Sequence, residues 1–427
     1  MVTLCNDVLV DIFSRLPITC LFQLKCVCQR FNEVINSISS DPKLLPTHDA
    51  LGLGSVHGFF HFSCRSPQNI RYLSLHPQQQ YPIDNISVSS IHSSSHQIVD
   101  SCNGLLLLNF VNTNLFTLCN PTTKKHRYIV KPVNWSPNPK QNIGLAYNDH
   151  SSTSMISNNH CQLVFVYKMR NLSRGEIYGF RIFSSNANSW TREDMYNRLV
   201  CQSGEFVKHG QAVYFNESLH WMRKSGDIIV FDTKENKSRI MRKSPFLGEF
   251  KDDMWFGVTN GSINIVHVTR TEVVILALHD YVNAVWKRVL FKTNHWSLKV
   301  LCDFCPIFFD GEWIVLQSHG NFLNQFFSYN IRLYEWKKIG DFTDSNDGIH
   351  ECIPFIPSLA WLDTTSEALN NNFLDENNSN GRYDHFWPMI LGTRKRARVN
   401  SQIPSDGRSK RVIRTPARFD DYWSDFL

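Results

Sequence analysis

A strand–turn–strand pattern returning at a period near fifty residues constrains this chain more than any other feature in it. Each copy has an apolar strand, an Asp or Asn turn, four to seven polar residues, and an aromatic or basic residue opening another strand. The copies occupy residues 115–128, 179–190, 228–240, 275–286 and 326–336. Trp190, Ser238, Trp286 and Trp336 hold equivalent places, 48, 48 and 50 residues apart. Several copies follow a turn-plus-strand unit: Asn103-Gly-Leu-Leu-Leu, Asn216-Glu-Ser-Leu-His-Trp, Asn260-Gly-Ser-Ile-Asn-Ile and Asp310-Gly-Glu-Trp-Ile-Val.

Two hairpins per period make a four-stranded unit whose strands are rich in Val, Ile, Phe, Tyr and Trp. Such a unit has two apolar faces and cannot cover them by itself. Radial stacking covers both and leaves only short edges, so the period predicts a closed ring. In this respect the pattern resembles the blades of kelch-type β-propellers. A sixth, degenerate unit spans Gly58-Phe-Phe-His-Phe62 and Tyr72-Leu-Ser-Leu75, with residues 353–361 as the strand that closes the ring on it. The expectation is about six blades, with five or seven left open. The tryptophans at equivalent positions are expected to pack between blades. Residues that bind a target should instead be irregular between blades and sit on loops. On that ground 134–139, 246–250 and 318–323 are candidates for one rim, with no target assignable.

Ahead of the repeats, Val8, Leu9, Ile12, Phe13 and Leu16 recur at helical spacing. Asn6 and Asp7 stand where a cap and a first-turn acid belong, and Pro17 blocks continuation. A second pattern, Leu21, Leu24, Cys28, Phe31, Ile35 and Ile38, has Thr19 available as its cap and is expected to break near Cys26–Cys28. A helical unit of about forty residues rarely buries enough apolar surface to stand without help. Its apolar face therefore calls for a partner.

At these residues the chain resembles the F-box, the adaptor-binding motif of cullin-RING ubiquitin ligases. The likeness is carried by Leu4, the run from Asp7 to Pro17, Leu21, Val27-Cys-Gln-Arg30, Phe31 and Asp41-Pro-Lys-Leu44. Cys5 stands where the family usually has Pro, and Phe31 where it has Trp. The repeats in turn resemble the F-box-associated domain of plant F-box proteins through 101–108, Cys119-Asn-Pro-Thr-Thr123, Leu219-His-Trp221 and Pro357-Ser-Leu359. Gly144-Leu-Ala-Tyr147 supplies the usual Gly-rich strand. Residues 151–159 read as a loop insertion that stretches the second blade, where the interval from His126 to Trp190 is 64 residues.

The resemblance implies an α+β multidomain chain with a small all-α F-box at 1–45 and an all-β propeller at 46–363, while the Asn-rich and basic composition of 364–427 predicts a disordered tail. It also implies that Leu4, Val8, Leu9, Ile12, Phe13, Leu16, Pro17, Val27 and Cys28 bind a Skp-type adaptor. Through that adaptor they would reach a cullin-RING ligase, while the propeller holds a target protein. The competing reading is a propeller enzyme, or a nucleic-acid-binding protein, with the helices as a structural cap.

Composition bounds the remainder. No secretory leader is expected in 1–40, and no apolar run approaches the length of a membrane span. The twelve cysteines lack the paired spacing of a zinc site, Cys302-Asp-Phe-Cys305 included, and are expected to be reduced packed thiols. No catalytic motif, metal site or cofactor site is evident. His220 and His267 read as hydrogen-bonded structural residues, and Asp194, Asp227, Asp232 and Asp310 as turn residues.

The net charge of +6 is concentrated in the tail, where nine Lys or Arg lie between 393 and 418 against one acid. Arg394, Lys395, Arg396 and Arg398, then Arg408, Lys410 and Arg411, resemble a bipartite nuclear-import signal. The expected location is the nucleus, the cytoplasm or both. Import ranks ahead of a solvated tail without a role, and that ahead of nucleic-acid contact through phosphates.

Overall fold

The computed structural model describes residues 4–16, 18–40, 56, 58–63, 71–74, 96–110, 113–122, 125–132, 135, 141–148, 160–172, 175–191, 198–202, 204–207, 211–248, 251, 254–269, 272–292, 303–319, 325–341, 350–358 and 360. The tail and its basic clusters lie outside them, as do Pro17, Asp194 and 149–159.

Three helices come first: α1 (Asn6–Ser14), α2 (Ile18–Leu24) and α3 (Gln29–Ser40). The break falls at 25–28, as the change of pattern near Cys26 predicts. The cap assignments need correcting. The N-cap of α1 is Cys5, which makes no side-chain capping bond, and Thr19 lies within α2 rather than ahead of it. Asn6 is occupied elsewhere: its Oδ1 accepts from Arg30 Nε and Nη2, both at 3.0 Å. A partner 24 residues away takes the group that local reasoning would give to the helix terminus.

The ring follows, all of its pairings antiparallel. β1 (Gly58–Ser63) and β2 (Arg71–Ser74) belong to the last blade. The first blade is β3 (His96–Cys102), β4 (Leu105–Phe110), β5 (Leu115–Asn120) and β6 (Lys125–Val130). The second is β7 (Gln141–Asn148), β8 (His160–Leu172), β9 (Gly175–Ser184) and β10 (Ser189–Trp190), with β11 (Arg198–Cys201) also pairing β9. The third is β12 (Val213–Phe215), β13 (Ser218–Met222), β14 (Ile228–Asp232) and β15 (Lys237–Met241). The fourth is β16 (Met254–Thr259), β17 (Ser262–Val268), β18 (Glu272–Asp280) and β19 (Val285–Lys292). The fifth is β20 (Asp303–Phe309), β21 (Trp313–His319), β22 (Gln325–Asn330) and β23 (Glu335–Asp341). β24 (His350–Phe355) completes the sixth, in the order β2-β1-β24. Strands β3, β7, β12, β16, β20 and β24 neighbour one another in turn, which closes a six-bladed ring.

The repeat is legible in the turns. Asn120, Asp232, Asp280 and Asn330 end the third strand of their blades. Their side-chain Oδ1 atoms accept backbone N–H bonds from Thr122 (2.9 Å), Lys234 and Glu235 (2.9 and 2.7 Å), Val282 and Asn283 (both 3.0 Å), and Arg332 and Leu333 (2.9 and 2.8 Å). A short side-chain acceptor thus folds each turn over itself. Asp310 does the same one hairpin earlier, accepting from Glu312 N at 2.8 Å and Trp313 N at 2.6 Å. At the same end of the ring, Asn103-Gly104, Asn216-Glu217 and Asn260-Gly261 have positive φ at both residues, as two-residue hairpins with right-handed strand twist require. The opposite end carries the longer connections between blades.

The apolar cores lie between blades. Leu105, Leu107 and Phe116 of the first blade pack with Ile143, Leu163 and Phe183 of the second. Phe180 of the second packs with Trp221 and Phe231 of the third, and Ile228 of the third with Ile263 and Leu276 of the fourth. Ile275 of the fourth packs with Ile314 and Tyr329 of the fifth, and Phe326 of the fifth with Phe59 of the sixth. The equivalent tryptophans join these seams: Trp190, Trp286 and Trp336 each pack against the cluster shared with the preceding blade, and Trp190 Nε1 donates to Val130 O at 2.7 Å. Gly144 matters here because a Cβ would lie 2.6 Å from Ala212 and 2.8 Å from Trp221.

Closure joins the two ends of the repeat region. β24 pairs with β1, Ile353 opposite Phe60, and the Phe60 and Phe355 rings sit 5.1 Å apart. Beyond β24 the chain latches onto the first blade: Ser358 Oγ donates to Asn103 O at 2.5 Å, and Asn120 Nδ2 donates to Ser358 O at 3.1 Å and Ala360 O at 2.9 Å. The extra length of the second blade lies partly in its strands, since β8 has 13 residues and β9 has 10.

Candidate docking surfaces

The small helical unit divides its apolar side chains between an inside and an outside. Leu9, Phe13, Leu21, Val34 and Ile35 form a buried cluster, with Val10, Leu16, Leu24 and Phe31 partly buried against it. Phe13 and Phe31 meet edge to face, ring centroids 5.0 Å apart. Phe31 thus fills an aromatic place in this core although it is smaller than Trp. Arg30 ties the start of α3 to the start of α1 through Asn6 and the carbonyl of Leu4.

On the outside, Leu4, Val8 and Ile12 follow one another at four-residue intervals, 48%, 40% and 41% exposed. That spacing makes one stripe along the helix. Val27, at 63% exposure, and the exposed Cys28 precede Arg30 in the α2–α3 connection. Among the residues matched to the family motif, Leu4, Val8, Ile12, Val27 and Cys28 therefore stand on the surface and Leu16 is half-buried. Leu9 and Phe13 are core, 4% and 3% exposed. The pair between Asp11 of α1 and its C-cap Arg15, 2.9 Å apart, is well exposed and contributes little.

Several buried polar groups of the ring are engaged in holding its blades together. His220 has both ring nitrogens occupied, Nδ1 with Val213 O at 3.0 Å and Nε2 with the Tyr281 hydroxyl at 2.9 Å. Burial pulls its pKa down to about 4, so it is neutral at pH 7. Asp100 is fully buried, Oδ1 accepting from Ser101 N at 2.9 Å and Oδ2 from Leu145 N at 2.7 Å, which ties the inner strands of the first and second blades. Burial drives its pKa well up against those two bonds.

Between the second and third blades, Glu176 accepts from Lys168, from Tyr178 Oη at 3.0 Å and from Gly204 N at 3.3 Å. Arg223, with no exposed surface, lies 4.0 Å from the same carboxylate and donates to Gln202 O at 2.6 Å. Burial alone would raise Glu176; the Lys168 and Tyr178 bonds outweigh it and hold the carboxyl below its ordinary range. Sequence reasoning missed this network because its members are scattered from 168 to 223. Burial also pushes the Cys119 and Cys161 thiols up to about 12, which disfavours their thiolate forms at neutral pH. Among the described residues no group of His, Cys, Asp or Glu is arranged to hold a metal ion.

The loops proposed for target binding are described only in part. Trp135 is half-buried, edge to face with Phe116 at 5.2 Å and Phe165 at 5.4 Å, so it serves the seam between two blades. Phe246 is 53% exposed, and Ser318 is buried. At the other end of the ring, Val282, Leu333 and Tyr334 are 81%, 60% and 50% exposed in the tight turns of the fourth and fifth blades. Their signal in the sequence is the alignment of those turns by their Asp or Asn, not the irregular length that marks the other rim.

A helical module with an uncovered apolar stripe, followed by a closed ring of six blades, defines a chain built for docking at two places. A family model for the F-box domain matches residues 2–43, and one for the F-box associated beta propeller domain matches 74–359. The chain belongs to the family of plant F-box proteins with an F-box-associated propeller. It is similar to two F-box proteins of Arabidopsis thaliana: one 22% identical over 87% of this chain and 83% of the relative, the other 23% identical over 78% and 90%. An F-box/kelch-repeat protein of the same plant is 23% identical over 61% of this chain, and the match spans 58% of that relative's length.

Proposed function

We propose that this chain is the substrate-recognition subunit of an SCF-type cullin-RING ubiquitin ligase. Its helical unit docks on a Skp-type adaptor through Leu4, Val8, Ile12, Val27 and Cys28, and its ring holds a target protein. No bond is made or broken by the chain itself. It raises the effective concentration of a target lysine near the ubiquitin thioester carried by the ligase assembly.

The observation that carries this reading is the Leu4, Val8, Ile12 stripe. Its apolar side chains are left outside a unit whose own core is already formed by Leu9, Phe13 and Leu21. Co-purification with a Skp-type adaptor tests it. The wild-type chain retains the adaptor, and Val8→Asp/Ile12→Asp loses at least about tenfold in affinity with the fold intact. A wild-type chain that does not retain the adaptor, or a variant that retains it equally, overturns the reading. For the tail, we infer that the clusters at 394–398 and 408–411 direct nuclear import. Fusing residues 388–427 to a fluorescent protein should move it into the nucleus, and an unchanged distribution ends that idea.

A further inference from the structure

One repeated position departs from its own pattern. The fourth residue after the turn-forming Ser184, Asp232, Asp280 or Asn330 is Asn188, Asn236, Ala284 or Tyr334, with φ of 49°, 54°, 53° and 60°. Asn enters the left-handed region readily because its short side chain bonds to the nearby backbone; a bulky aromatic residue does so only under strain. Tyr334 is 50% exposed, so burial does little to offset that strain. A strained, exposed aromatic residue at a turn that Asn would satisfy is a mark of use.

Its surroundings point the same way. Leu333 precedes it at 60% exposure, and Val282 in the matching turn of the fourth blade is 81% exposed, whereas the third blade places Lys234 and Glu235 there. The outer strands of these two blades repeat a second feature: Lys287 and Arg288 follow Trp286, and Lys337 and Lys338 follow Trp336, all four exposed. Across 280–290 and 330–338, five Lys or Arg stand against Asp280 and Glu335. Exposed Val, Leu and Tyr call for an apolar partner, and the paired cations call for an acidic one.

We propose that the hairpin turns of the fourth and fifth blades form a docking surface for an acidic peptide segment bearing aromatic or aliphatic side chains, supplied by the target protein. The apolar anchors seat on Val282, Leu333 and Tyr334, and the carboxylates face Lys287 and Lys338, the member of each pair that strand alternation turns toward the gap between the fourth and fifth blades. Exposed charge pairs of this kind set orientation and association rate and weaken with salt. This inference rests on the ring being the target receptor, yet its test does not pass through the adaptor.

The full chain is used to select from a displayed library of random short peptides, and selected peptides are titrated by fluorescence anisotropy. Enrichment of acidic sequences with an aromatic or aliphatic anchor is expected, with affinity falling as salt rises. Val282→Thr/Leu333→Ser/Tyr334→Asn should lose about tenfold or more. Tyr334→Asn alone installs the residue of the third-blade turn, so it should weaken binding while the melting temperature holds or rises. The proposal is overturned if no acidic sequence is enriched, or if the selected peptides bind the triple variant as tightly as wild type. Adaptor capture on the same preparations separates the two readings. Peptide binding at these turns without adaptor retention leaves the surface standing and removes the ligase role; adaptor retention without peptide binding does the reverse.

Discussion

In the ring, Trp221, Ile229 and Phe231 have no exposed surface at all, while in the helical unit Val8 and Ile12, one turn apart on the same helix, keep 40% and 41% of theirs. The contrast follows from how each part is completed. A blade has two apolar faces, and closing the ring gives every one of them a neighbour. Among the described residues the helical unit has three short helices, which enclose Leu9, Phe13, Leu21, Val34 and Ile35 and leave Leu4, Val8 and Ile12 exposed. One part covers its own apolar faces, and the other leaves a set of apolar side chains at its surface. Substitutions should sort accordingly, in stability or in binding.

The largest loss of stability is expected at a seam between blades. Trp221→Ala removes a fully buried indole that Gly144 is shaped to receive, and should cost about 3–5 kcal/mol. Urea denaturation measures it; a loss below about 1 kcal/mol would mean that neighbouring blades slide to fill the space, and the ring would not be the rigid partner in the comparison.

Next comes pH. His220 has its folded pKa pulled down to about 4, against about 6.5 for an unperturbed histidine. The unfolded chain therefore takes up a proton that the folded chain refuses. The contribution of His220 to stability is fully present above pH 6.5 and is lost as pH drops toward 4, by about 3 kcal/mol at the end of that window. Denaturation midpoints of wild type and His220→Gln at pH 7 and pH 4.5 check the sign, since the variant should lose most of this dependence.

The latch contributes less. Asn120→Ala leaves the carbonyls of Ser358 and Ala360 without their donor and the Thr122 N–H without its acceptor, a loss of about 2 kcal/mol. Removing the chain after Phe355 should produce a similar loss, and the two changes together should fall short of their sum because they break one contact. Additive effects would show that Asn120 acts only on its own turn.

How far this could be foreseen depends on the range of the interactions. The turns were legible because Asp232, Asp280 and Asn330 fold them locally, and period plus turn chemistry sufficed for the blades. Closure was legible as a leftover strand at each end of the repeat. The helix cap was not, since Arg30 claims Asn6 from another helix. Nor was the Glu176–Arg223 network, whose charges meet only after two blades are in place. In the second blade the sequence points to 151–159 for the excess length, although long strands β8 and β9 hold part of it; insertion in a loop and extension of a hairpin look the same in an interval between repeat positions.

Within the helical unit the apolar pattern alone placed Val8, Leu9, Ile12 and Phe13 on one stripe, because helical spacing groups them without saying which edge of the stripe faces inward. Substitution on α1 separates the two edges. Leu9→Ala opens a cavity in the small core and should cost about 2–5 kcal/mol, enough to unfold the unit. Val8→Ser and Ile12→Ser touch side chains that already meet water, and each should change stability by less than about 1 kcal/mol, the smallest effect among these predictions. Their consequence should appear in adaptor binding instead. If thermal melts of the two surface variants fall as far as that of Leu9→Ala, the stripe is covered by the chain itself, and the contrast between a complete ring and an incomplete helical unit fails at its weakest point.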